Sequence, residues 1–182
     1  MYRFFCRQLA FYARYHRDPR NCATHYLGIP MLFLAAILPL QASHIAVGSF
    51  HIPLAVVLVA PAVIGWMVLD LGVGSALLLS LCPLFAVTEI IVDAGGPFMT
   101  WSVAAALFLV GWSLQFLGHA VFERRRPAFV DDLSQTLIGP MFVVAKMLVK
   151  LGARQDLATV LAEEPDVVLK ESHLRRSSSR PL

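Results

Sequence analysis

The chain predicts an all-α fold, a polytopic transmembrane helical bundle of about four spans, and three observations predict it. Of 182 residues, 58% are hydrophobic and only 15% charged, and the mean hydropathy is +0.68. A soluble domain is nearer 45–50% apolar and about a quarter charged. Four nearly uninterrupted apolar runs cover 26–42, 52–69, 71–92 and 99–122. Each is about 17 to 24 residues, enough for a helix to cross roughly 30 Å of hydrocarbon. The ~10-residue alternating segments of a membrane β-barrel are missing, so backbone groups in lipid must pair within helices.

The N-terminal segment does not read as a cleavable signal, because Arg14, Arg17, Asp18 and Arg20 interrupt the place for an apolar core. It reads as an interfacial amphipathic helix. At 100° per residue, Arg3, Arg7 and Arg14 fall within about 40° of each other, and Phe5, Leu9, Tyr12 and His16 fall opposite. His16 therefore looks inward. Asp18-Pro19 marks the next helix start, with Asp18 as N-cap and Pro19 in the first helical position. Pro30, Pro39, Pro53, Pro61 and Pro83 lie in or beside the spans and kink them. Residues 130–152 are apolar but carry Lys146 and Lys150 four apart, which predicts a helix at the membrane surface or partly re-entrant. Asp131 or Asp132 caps it, and it roofs the site described next. Residues 1–162 read as one membrane-embedded domain, and 163–182 as a flexible polar tail.

Lysine and arginine set the orientation. The segment before the first span carries five arginines and the one after the fourth carries Arg124, Arg125 and Arg126, whereas 43–51 and 93–98 carry no Lys or Arg. Both basic segments, and both termini, belong on the cytoplasmic side. Two polar motifs thereby reach one membrane surface: "YHRDPRNCATHYLGIP" (15–30) and "GWSLQFLGHAVFERRRPAF" (111–129). Asn21 and His25 share a helix face, as do Gln115, His119, Glu123 and Arg126. Polar groups at such depth are costly and turn toward partners inside the protein. Each has an ordinary use. A lone interfacial histidine is commonly just hydrogen-bonded, Glu123 among arginines suits an ion pair, Arg124–Arg126 suit a topology signal, and Gln115 and Asn21 suit interhelical glue. Convergence favours more: His16, His25 and His119 meet at one depth, and imidazole-rich sites suit Fe, Zn, Cu or Ni. Cys6, Cys22 and Cys82 form no CxxC pair and read as buried or interfacial side chains.

The stretches "FYARYHRDPRNCATHYLGIP" and "GWSLQFLGHAVFERRRPAFVDDLSQTLIGPMF" closely resemble the iron(II)-dependent 2-hydroxy fatty acid dioxygenases of α-oxidation, which are small multi-pass membrane proteins. The resemblance is carried by Tyr-His, Asp-Pro, Asn and His in the first block. In the second it is carried by Gln-Phe-x-Gly-His, Phe-Glu and Arg-Pro-Ala. It implies an Fe(2+) held by His16, His25 and His119, with Glu123 a further ligand or an outer carboxylate. Asn21, Gln115 and Arg126 also match family positions. It implies that a 2-hydroxy fatty acid and O₂ give the acid one carbon shorter and CO₂. The tail would lie among membrane lipids and the head at the iron, with an arginine of Arg124, Arg125 and Arg126 on the carboxylate. Six histidines without HxxxH or HxxHH boxes argue against membrane di-iron hydroxylases. The alternatives are another lipid-acting membrane metalloprotein or a non-enzymatic membrane protein. No nucleic-acid partner is expected. The Ala/Leu/Val-rich style points to a bacterial inner membrane, or the endoplasmic reticulum in a eukaryote.

Overall fold

A computed structural model describes residues 1–162; the tail expected over 163–182, with His173, lies outside the described residues. The described chain is mostly helical, with seven α-helices, one π-helical turn and one β-hairpin. Helix α1 (Tyr2–Ala13) buries Phe5, Leu9 and Tyr12 and leaves Arg3 and Arg7 exposed, as its spacing predicts. Its apolar stripe meets α6 (Gln135–Lys150) and α7 (Asp156–Ala162), in a core that includes Met141, Phe142 and Leu157.

Helix α2 (Pro19–Gln41) starts at the expected cap, where Asp18 accepts the Arg20 N–H at 2.8 Å and Pro19 takes the first position. The loop that follows is a hairpin. Strands β1 (His44–Val47) and β2 (Phe50–Pro53) pair antiparallel, with exposed His44 and His51 on it. Helices α3 (Leu54–Leu69) and α4 (Leu71–Leu117) are separated only by Asp70. Asp70 caps α4 through the Val73 N–H at 2.8 Å and takes a two-pronged contact from Arg154 at 2.6 and 2.9 Å. Burial opposes its charge, but Arg154 and the Val73 N–H outweigh that and hold the carboxyl below its ordinary range. Arg154 also pairs with Asp156 at 2.8 Å, which accepts the Tyr2 hydroxyl at 2.9 Å. The α3–α4 junction is thus tied to α7 and to the start of α1.

Helix α4 is 47 residues long and would extend about 70 Å if straight. Instead it breaks at Gly96, whose φ of +61° and ψ of −173° lie outside helical space and favour glycine. The chain comes back: Trp66, just before α4, and Gln115, near its end, line the same cavity. The second arm runs into a short π-helical turn, Gly118–Glu123, where an α-helix was expected to continue.

Two helices, Pro19–Gln41 and Leu71–Glu123, are long and apolar enough to cross a membrane, and α3 is a shorter apolar helix. Large apolar side chains such as Leu58, Ile64, Leu79, Ile90, Trp101 and Leu109 are exposed along α3 and α4. Helix α6 is more fully buried than the surface or partly re-entrant helix expected over 130–152. It is buried on nearly all sides through 138–145, because α1 covers it on one side and α2 and α4 on the other. A cap by Asp131 or Asp132 is replaced by Ser134 as N-cap, with Asp132 accepting the Ser134 N–H at 2.9 Å.

Candidate metal centre

Three elements bring the histidines together. His16 sits in the turn after α1, His25 two helical turns into α2, and His119 in the π-helical turn. All three are buried, each no more than 3% exposed. Their rings stand nearly perpendicular to one another, with centroids 4.3 Å (His16–His25), 4.8 Å (His16–His119) and 5.0 Å (His25–His119) apart. π-helical turns are rare and concentrate at functional sites, since the extra residue re-aims a side chain. Here the close approach also needs Gly118: a Cβ there would collide with Asn21 Oδ1 and Thr24 Oγ1 on α2.

The hydrogen bonds assign the tautomers. His16 Nδ1 lies 2.9 Å from the Tyr12 carbonyl and His25 Nδ1 lies 2.9 Å from the Asn21 carbonyl. A carbonyl only accepts, so each Nδ1 carries the proton and each Nε2 presents a bare lone pair. Those two Nε2 atoms face each other at 3.0 Å. No proton is left to sit between them. Burial, and next the neighbouring His25, push the His16 imidazole well below its ordinary range, so protonation does not fill the gap. A cation does. Nitrogens each about 2.1 Å from one ion, at right angles, lie about 3 Å apart. One donor atom from each of the three histidines falls within 4.8 Å of the others, and buried His119 Nδ1 has no hydrogen-bond partner among the described residues. Backbone carbonyls on the far nitrogens are the usual support for metal-bound imidazoles. The residues present fit a metal ion.

Asn21 and Glu123 do not join the histidine cluster; they hold it. Glu123 Oε1 accepts the Asp18 N–H at 2.7 Å and the Asn21 amide at 3.3 Å, and the same amide donates to the Tyr15 carbonyl at 3.1 Å. The turn bearing His16 is thereby clamped to the turn bearing His119. Tyr12 stacks on His16 at 4.1 Å with planes 5° apart, Phe142 of α6 lies 5.1 Å from that ring, and Cys22 Sγ donates to the His16 carbonyl at 3.2 Å.

His25 and His119 line an apolar groove of about 480 Å³, within the range of small-molecule sites. Its walls include Ile29, Leu32, Phe33, Trp66, Phe108, Trp112 and Phe129, and no Asp, Glu, Lys or Arg lines it. Two amides do. Among the described residues, Gln115 is buried with Nε2 unpartnered, and Gln135 of α6 is fully buried with Oε1 unpartnered. Arg124, Arg125 and Arg126 are exposed. Arg125 and Arg126 line a different, polar cleft with Arg14 and Arg17, while Pro127, Ala128 and Phe129 line the groove. Sequence reasoning missed Gln135 and Phe142, because nothing in an apolar helix marks which face meets a cavity. Tyr12 stood on the inward face already, four residues before His16.

The family model described as "2-hydroxy-palmitic acid dioxygenase Mpo1-like" matches residues 2–151. The 2-hydroxy-palmitic acid dioxygenase MPO1 of Saccharomyces cerevisiae is 35% identical over 171 residues, which are 92% of this chain and 92% of that protein. No solved structure matches the chain. With both motifs and the hydrophobic stretch between them inside these matches, the chain belongs to the Mpo1-like family.

Proposed function

We propose that this protein is a multi-pass membrane dioxygenase. It converts a 2-hydroxy fatty acid and O₂ to the fatty acid one carbon shorter, CO₂ and water, at an Fe(II) ion held by His16, His25 and His119. The observation that carries the reading is the pair of bare Nε2 atoms 3.0 Å apart beside His119, with His25 and His119 lining an apolar groove. The name of the matching yeast relative supplies the substrate class.

The membrane reading rests on exposure. In the most hydrophobic 18-residue windows of the two long helices, only 28% and 17% of residues are buried, which is the reverse of a soluble core helix. With α4 broken at Gly96, the crossings are α2, α3 and the two arms of α4. The basic segments then lie on the cytoplasmic side with the histidines.

Charge decides how the head is held. Three neutral imidazoles leave a divalent ion uncompensated in a groove free of acidic side chains, and a buried charge needs a partner. A carboxylate entering with its tail along Phe33, Phe108 and Trp112 supplies it, so an arginine in the groove is unnecessary. When bound, the ion supplies the electron exchange that O₂ chemistry requires and a template for the 2-hydroxy carboxylate. The chain's own residues do the rest. Gln115 Nε2 donates to an oxygen of the head, Gln135 Oε1 accepts from the 2-hydroxyl, and Tyr12 and Phe142 fix the His16 ring. Burial of the tail contributes about 0.8 kcal/mol per CH₂ whatever the head, so discrimination falls to the head.

The test is metal analysis joined to turnover. The purified protein should hold about one iron per chain and lose it with His25→Ala. It should consume O₂ with a 2-hydroxy acid and release the acid one carbon shorter, turning over 3-hydroxy and unsubstituted acids poorly. A metal-free yet active protein, or equal turnover of all three acids, would sink the proposal.

A further inference from the structure

The arginines left outside the groove form a site of their own. Arg14, Arg17, Arg125 and Arg126 line a cleft of about 730 Å³ with Tyr15, Glu123 and Asp131. Setting Arg17 aside, Arg14, Arg125 and Arg126 bring three guanidinium-bearing side chains to the cleft, and both of its carboxylates accept from other donors. Glu123 takes the Asp18 N–H at 2.7 Å, and Asp131 takes the Tyr15 hydroxyl at 2.6 Å. Among the described residues, no ion pair involves Arg14, Arg125 or Arg126. Arg14 Nε is buried without a hydrogen-bond partner, a donor that an exposed arginine would satisfy with water. The backbone is committed to this arrangement. Arg124 is the one non-glycine residue with positive φ, +52°, among the described residues, and the Arg125 N–H closes back on the His119 carbonyl at 3.2 Å. That reversal carries Arg125 and Arg126 to the side where Arg14 and Arg17 lie.

From this arrangement we infer that the cleft is a phosphate-binding site, distinct from the metal centre. Forked donors gathered around one cleft, three of them without an ion pair among the described residues, match the oxygens of a phosphate group. The next residues, Pro127 to Phe129, wall the apolar groove, so a phosphate in the cleft sits one segment away from the acyl path. On the membrane reading above, its source is the headgroup of a phospholipid. The phosphate chemistry itself rests only on the cleft.

Binding to the lipid-stripped, detergent-solubilised full chain tests this, read by native mass spectrometry and thermal shift. Three probes are used: phosphatidylglycerol, diacylglycerol with the same tails, and inorganic phosphate. Phosphatidylglycerol should bind and diacylglycerol should not. Arg125→Gln and Arg126→Gln should each weaken binding roughly tenfold. Arg7→Gln removes the same charge from an exposed site outside the cleft and should leave binding unchanged. Metal content, measured on every variant, keeps this result separate from the fate of the iron proposal. Competition between inorganic phosphate and phosphatidylglycerol on the unmodified protein needs no variant to fold. Competition upholds the site with lipid as its source, and binding of inorganic phosphate alone upholds it with a soluble source. Binding of neither, equal binding of diacylglycerol, or equal loss with Arg7→Gln overturns it.

Discussion

The apolar groove and the arginine cleft share one wall, the segment after the π-helical turn, yet they handle charge in opposite ways. The cleft carries its positive charge permanently, on guanidinium groups that include those of the exposed Arg125 and Arg126. Among the described residues no Asp, Glu, Lys or Arg lines the groove, and its wall includes His25, whose bare Nε2 faces that of His16 just behind it. A site built that way gains its charge only with a bound cation, and then demands an anion. The difference explains why arginines adjacent in sequence to His119 need not touch the substrate of its site: a single left-handed residue, Arg124, turns them away.

The largest expected effect breaks the groove alone. His16→Ala, His25→Ala and His119→Ala should each abolish bound metal and activity, since each removes one of three donors. His44→Ala and His51→Ala, exposed on the hairpin, should leave both intact. Metal content and O₂ uptake of the five variants decide it, and comparable loss at His51 would place the active surface at the wrong end of the bundle.

A smaller effect tests the join between the two regions. Glu123 lines the cleft but hydrogen-bonds the turn that carries His16. As a clamp it needs only an acceptor oxygen. Glu123→Gln should therefore keep most of the metal affinity, while Glu123→Ala should lose roughly 10- to 100-fold, the usual penalty for removing an outer support of a metal ligand. Equal loss in both would mean that the negative charge itself serves the ion, as a ligand would.

Much of this was legible before any coordinates. The Asp18-Pro19 cap, the inward His16 and the meeting of the two histidine motifs follow from local rules: helical period, capping and the distribution of arginine. Local rules do not report contacts between distant residues. Arg154 reaches Asp70 across 84 positions, and Gln135 meets the groove from a helix whose sequence looks amphipathic and surface-bound. The helix expected over 130–152 does roof the histidines, through Phe142 beside the His16 ring, but its contacts with α1, α2 and α4 bury it more fully than a surface helix. The placement of Arg125 and Arg126 in the cleft follows a left-handed Arg124, a backbone dihedral that composition does not encode.

The smallest expected effect separates recognition from glue within the groove. Gln115 has a buried amide whose Nε2 lacks a partner among the described residues, and a buried unsatisfied donor costs about 1–3 kcal/mol. If Gln115 were interhelical glue, replacing it with leucine, close to it in volume, would remove a hydrogen bond and lower the melting temperature. If it is held ready for the substrate head, Gln115→Leu should instead raise the melting temperature of the substrate-free protein. The same variant should lose roughly tenfold in kcat/KM for the 2-hydroxy acid, because the head then lacks its donor. Metal content should stay unchanged, since Gln115 is not among the clustered histidines. Stability rising while recognition falls is a signature that a structural amide does not produce. A lower melting temperature with kcat/KM intact would return Gln115 to the bundle and leave the head to the ion and Gln135.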